Sequence, residues 1–120
     1  MPKSVAPMIE ESAFIALTDR VLDTIGAALD ASESDLDWSE NDGVLTIECA
    51  DGSRIIVNRH MPNRELWVAA KSGGFHFRAE GGAWRDTKSG EELATALERL
   101  LQTQGGVVVH LPPLPVGKST

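Results

Sequence analysis

Across residues 10–30, Phe14, Leu17, Val21, Ile25 and Ala28 recur three or four positions apart. That spacing puts them on one face of a helix, and Glu10 and Glu11 in its first turn suit the positive end of the helix dipole. Asp19, Asp23 and Asp30 then share a stripe on the opposite face. From residue 35 the period drops to two: Asp35-Leu36-Asp37-Trp38-Ser39 predicts a half-buried strand with both aspartates on the same side. Asn41-Asp42-Gly43 is a strong turn signal, followed by a strand over 44–49 and a second turn at Asp51-Gly52. Further strands are predicted over 54–58, 66–69, 75–78 and 83–85, separated by the Met61-Pro62 step, by Ser72-Gly73-Gly74 and by Gly81-Gly82. A second helix is expected from a cap at Ser89, with Glu91 and Glu92 in its first turn, Leu93, Leu97, Leu100 and Leu101 on one stripe, and a stop at Gly105-Gly106.

Strands grouped between two helices predict an α+β two-layer sandwich, an antiparallel six-stranded meander with both helices on one face and water on the other. The 120 residues are enough for one domain with one modest core. Residues 1–9 read as a flexible leader, 10–106 as the domain, and 107–120 as a proline-rich tail expected to be disordered in its last few residues.

Charge narrows the function. Eighteen acids against eleven bases give a net charge of -7, the wrong sign for a protein that neutralises a phosphate backbone. No apolar run approaches the ~20 residues of a membrane span, and residues 1–7 hold no signal-peptide core. A cytoplasmic protein with neither nucleic acid nor membrane as partner is expected. The charge is also uneven, residues 1–51 carrying a net -10 and the remainder +3. Such polarity can steer a cation or a basic partner to one side of the molecule, although solubility alone would also account for it.

Nucleophile and metal templates fit poorly. Cys49 shares its strand parity with Leu45 and Ile47, as a buried, inert thiol would. His60, His76 and His110 are far apart in sequence and lack zinc-ligand spacing. Gly117-Lys118-Ser119 lacks the earlier glycine of a phosphate-binding loop, Pro112 standing in its place. What remains is a candidate acidic ridge of Asp19, Asp23, Asp30, Glu33, Asp35 and Asp37, open carboxylates that would hold hard cations loosely. No base lies between Asp23 and Asp51 in sequence to relieve the repulsion among these acids. A second candidate is on the sheet. If Leu66 and Val68 point inward, Trp67 and His76 point outward, and an accessible Trp67 with Asn58, His60 and Glu65 around it would make a partner-binding patch.

The string Asn58-Arg59-His60-Met61-Pro62-Asn63-Arg64-Glu65-Leu66-Trp67-Val68-Ala69, with Ser72-Gly73-Gly74-Phe75-His76-Phe77 after it, resembles the signature of the frataxin family. Asp42-Gly43-Val44-Leu45-Thr46-Ile47, Trp84 and Ser89-Gly90-Glu91 resemble its bacterial members in order and spacing. The resemblance spans roughly residues 12–104 and implies the helix, six-stranded meander, helix architecture reached independently above. It also implies a non-enzymatic iron-binding protein of iron-sulfur cluster assembly, an iron chaperone holding Fe2+ or Fe3+ weakly. Its implied partners are a cysteine desulfurase and the scaffold protein, and its implied state is a monomer, with iron-induced oligomers as an alternative. By resemblance the ridge carries over to Asp19, Asp30, Asp35 and Asp37, whereas Asp23 and Glu33 rest on the stripe geometry alone. Gly26, Ala27 and Ala31 stand where related bacterial proteins have further acids, and His60 and Glu65 replace glutamines. A competing reading is an acidic interaction module that modulates the desulfurase and binds metal only incidentally.

Overall fold

A computed structural model describes residues 9–32 and 36–117. Helix α1 (Glu11–Ala31) buries Phe14, Leu17, Val21 and Ile25 of the predicted stripe, adds Leu22 and Leu29, and leaves Ala28 half-buried. Strands β1 (Asp37–Asn41), β2 (Val44–Glu48), β3 (Arg54–His60), β4 (Glu65–Ala70), β5 (Gly73–Glu80) and β6 (Ala83–Asp86) follow, and helix α2 (Leu93–Thr103) closes the order. The sheet runs β1-β2-β3-β4-β5-β6, every neighbouring pair antiparallel. Its inward set of Leu45, Ile47, Ile55, Val57, Leu66, Val68, Phe77 and Trp84 joins the buried faces of α1 and α2 in one core, with Cys49 inside it. The expected α+β sandwich is the observed fold.

Register follows from turn chemistry. Asp42 and Gly43 both have positive φ, 51° and 81°, the conformation of a two-residue hairpin loop whose twist matches the strands it joins. Val44 is thereby opposite Asn41, Trp38 opposite Ile47 and Asp37 opposite Glu48.

Most strand ends move by one or two residues, and three differences bear on the site. Strand β1 begins at Asp37, and the expected ridge members Glu33 and Asp35 lie outside the described residues. Gly73 and Gly74 belong to β5, where they pair with Ala70 and Ala69. Helix α2 begins at Leu93 rather than near Ser89, because residues 86–92 are held by another set of bonds. Asp86 Oδ1 accepts from the backbone of Lys88 and Ser89, the Asp86 N–H donates to the Glu91 carbonyl, and Arg85 bridges to Glu92. Ser89 therefore caps no helix; its hydroxyl accepts from the Glu91 N–H at 3.2 Å.

Beyond α2, Gly106 at φ 70° turns the chain back, and the Val107 N–H donates to the Leu101 carbonyl. The segment 107–117 buries Val109 and lays Leu111, Leu114 and Val116 against the core. Two bonds fasten it: the Leu111 N–H donates to Glu98 Oε2 at 2.7 Å, and Trp84 Nε1 donates to the Pro115 carbonyl at 2.6 Å. Residues 118–120, where disorder is expected, lie outside the described residues.

Candidate functional site

The described candidate acids stand on α1 and β1. Asp19, Asp23 and Asp30 are exposed on the outer side of the helix, but they differ in chemistry. Asp19 Oδ1 accepts from Arg59 Nη1 at 2.8 Å, and the same guanidinium, its side chain only 11% exposed, lies 3.8 Å from Asp42. Asp30 Oδ1 accepts from Trp38 Nε1 at 2.8 Å. The side chains of Asp23 and Asp37 have no hydrogen-bond or ion-pair partner among the described residues. Asp37 projects on the strand face opposite Trp38 and stands across from Glu48, itself 3.9 Å from Arg54. Directly opposed like charges repel.

Folding thus brings bases from the second half of the chain to the acidic first half. Arg59 reaches Asp19 and Asp42, Arg54 reaches Glu48, and Lys71 reaches Asp51. The hydrogen bond from Lys71, then those from Ser53, holds the Asp51 carboxyl well below the usual carboxylate range. Glu48 was legible as a ridge neighbour, since counting outward from the Asp42-Gly43 loop puts it across from Asp37. Arg59 had no such signal, because its contact with Asp19 spans 40 positions. Among the described residues no group of three or more carboxylate, His or Cys side chains is arranged to enclose a metal ion.

The second patch lies on the open face of the sheet. Cross-strand pairing aligns Asn58 of β3 with Trp67 of β4 and His76 of β5, and His60 with Glu65. Trp67 is half-buried rather than openly accessible, and two imidazoles cover it. The His60 ring stacks on one face at 3.7 Å between centroids and 9° between planes, and the His76 ring on the other at 4.1 Å and 7°. Histidines scattered in sequence are therefore brought to a single indole. Trp67 Nε1 donates to Glu65 Oε1 at 2.8 Å, and Arg78 Nη2 donates to Glu65 Oε2 at 2.6 Å. Glu65 is 2% exposed. Burial by itself would raise its pKa, but the hydrogen bonds from Trp67 and Arg78 and the charges of Arg78 and His76 together pull it below the ordinary glutamate value.

Beside His76 an open cleft of ≈ 370 Å³ lies between β5 and the 86–91 turn. Three of its charged walls are engaged with neighbours: Arg99 donates to Glu91 at 2.9 Å, and Asp86 accepts from the turn backbone.

A family model described as the frataxin-like domain matches residues 7–107. The chain belongs to the frataxin-like family. Among its relatives, the protein of Cupriavidus metallidurans named "Iron-sulfur cluster assembly protein CyaY" is 45% identical over 109 residues, 88% of this chain and 98% of the relative. A protein of the same name from Dechloromonas aromatica is 48% identical over 104 residues, 86% of this chain and 99% of the relative. Among solved structures, the frataxin of Psychromonas ingrahamii superposes with a TM-score of 0.81 at 30% identity, covering 85% of this chain and 97% of its own. Trimeric yeast frataxin, solved with ferrous iron, shares the fold at a TM-score of 0.62 and 23% identity, covering 85% of this chain and 91% of its own. The family drawn from the Asn58–Ala69 string and the architecture drawn from periodicity thus agree with independent matches over nearly the whole chain.

Proposed function

We propose that this chain is a non-enzymatic, cytoplasmic protein of iron-sulfur cluster assembly that takes up iron weakly on its acidic edge and docks on a cysteine desulfurase and its scaffold. One observation carries the assembly role: relatives 45% and 48% identical over almost their full length are named for it. Supporting the finer reading, the side chains of Asp23 and Asp37 are unpartnered among the described residues, and Asp37 stands against Glu48, where a cation or a basic protein face would relieve repulsion. Iron is cargo in this reading, held by exposed oxygen donors that bind loosely. The docking surface for the scaffold–desulfurase complex is the sheet face carrying Trp67, with Asn58, His60, Glu65 and His76 around it.

A second reading, docking with incidental iron binding, is favoured by the engagement of Asp19 with Arg59 and of Asp30 with Trp38, which leaves fewer free carboxylates for iron. One experiment separates the two. Association of the protein with the desulfurase is timed as a function of ionic strength for the native chain and for Asp23→Lys/Asp37→Lys, each apo and iron-loaded. Docking through the edge requires an association rate that falls with salt, and falls by about tenfold in the variant while dissociation changes little. Iron donation requires in addition that only the loaded protein restores cluster formation when free iron is limiting. Equal rescue by apo and loaded protein removes the donor role; an association rate indifferent to both charge reversal and salt removes docking through the edge.

A further inference from the structure

The least expected arrangement in the molecule is the His60–Trp67–His76 sandwich. A tryptophan on a sheet face has two free side-chain torsions, and an interface that uses it must freeze both on binding. Here they are frozen beforehand. Both ring faces are covered, at 3.7 and 4.1 Å, and the indole N–H is held at 2.8 Å by a carboxylate that is itself held at 2.6 Å by Arg78. What the indole leaves uncovered is its edge.

The stack on Trp67 is the contact that the structure shows for the His60 ring. Its Nδ1 is buried and has no hydrogen-bond partner among the described residues. A buried polar nitrogen without a partner is unfavourable, so that atom does not anchor the ring. The ring lies parallel to Trp67 within 9°, and stacking on the indole is the contact that orients its plane. Glu65 adds the orthogonal restraint, because a buried carboxylate accepting from the indole N–H allows one of the two flipped ring orientations and not the other.

We infer that His60 and His76, with Glu65, are positioning residues that lock Trp67 in a single rotamer so that its ring edge enters the partner preorganised. This rests on the reading of the Trp67 face as the docking surface and adds to it how that surface is kept in shape. A locked side chain spares the partner complex the cost of immobilising it, which corresponds to roughly a two- to tenfold gain in affinity. His60 and His76 contribute through Trp67, without any need to touch the partner.

The test uses the full chain labelled with 5-fluorotryptophan, the Trp67 resonance being assigned by its loss in Trp67→Phe, and measures affinity for the scaffold–desulfurase complex in parallel. In His60→Ala the Trp67 resonance should broaden or split while Trp38 and Trp84 stay unchanged, and affinity should fall roughly two- to tenfold. His60→Phe, which keeps a ring on the indole and discards the imidazole, should restore both the single sharp line and the affinity. A sharp, unshifted Trp67 line in His60→Ala overturns the inference. So does a sharp line in His60→Phe without recovered affinity, which would make His60 a direct partner contact. Trp67→Ala serves as the reference: if it binds as tightly as the native chain, the docking reading itself fails, whereas a weakened Trp67→Ala beside a native-like His60→Ala removes only the positioning role.

Discussion

Glu65 is a carboxylate in a nearly solvent-free position, 2% exposed, and both of its oxygens accept charged or polar donors. Hydrogen bonds to a charged group contribute about 1.5–3 kcal/mol each, and removing one partner leaves the others stranded. Replacing Glu65 by Gln keeps the shape and removes the charge that Arg78 faces, so it should cost about 1.5–3 kcal/mol of stability at neutral pH. The pH dependence has a definite sign. Because folding lowers the pKa of Glu65, its contribution is fully present above the ordinary glutamate value and is lost as pH falls through the lower folded value. Urea unfolding of the native chain and of Glu65→Gln between neutral and strongly acidic pH should show the gap in stability closing only in the acid range. A gap constant with pH would mean that the ionised carboxylate is not what holds the indole.

At the scale of elements, the contact of α1 with β1 is made by Trp38. Gly26 is buried on the helix, and a Cβ there would come within 2.6 Å of Trp38 Cη2. The indole lies against the helix backbone at a glycine, and its N–H reaches one turn further to Asp30. In an open helix, Gly to Ala gains about 1 kcal/mol of propensity. Here overpacking, at about 1–3 kcal/mol, works against that gain, and the ring cannot retreat without breaking its bond to Asp30. Gly26→Ala should therefore lower the melting temperature, and Gly26→Ala made on top of Trp38→Leu should raise it. Additive effects in that double-mutant cycle would show that the ring does not pack on Gly26. The same contact explains why position 26 carries no acid in this chain: any side chain there meets the indole before it meets solvent.

For the whole molecule, segment 107–117 acts as a strap over the core. Val109 is buried, Leu111, Leu114 and Val116 pack alongside, and the Pro115 carbonyl takes the Trp84 N–H. Burying a valine side chain is worth about 1.5–3 kcal/mol, the three half-buried residues add to it, and ordering the segment opposes the total. Ending the chain after Gly106 should lower the free energy of unfolding by about 2–4 kcal/mol. It should also red-shift the emission of Trp84, the core tryptophan at 2% exposure. An unchanged denaturation midpoint with an unchanged Trp84 spectrum would show that the strap is dispensable.

Much of this was legible from local pattern. A period of 3.6 with Phe14, Leu17, Val21 and Ile25 fixes α1 and its buried face, because only one stripe can meet the core. Alternation in β2 to β5 and the Asp42-Gly43 loop fix strand parity and register, because a one-residue slip would turn every apolar residue outward. The Asn58–Ala69 string identified the family, and the same parity placed Trp67 and His76 on the open face. The start of α2 was not legible, because Asp86 and Gly90 organise a turn whose bonds outcompete the cap suggested by Ser89. Nor was the charge distribution. Net charge by half-chain is a property of composition, whereas screening depends on distance, and Arg59 lies 40 positions from Asp19 in sequence but 2.8 Å away in space. The same limit applies to His60, Trp67 and His76. Their positions gave the face, and only three strands laid side by side decided that the two imidazoles would close on the indole, because stacking is set by cross-strand neighbours that no local window contains.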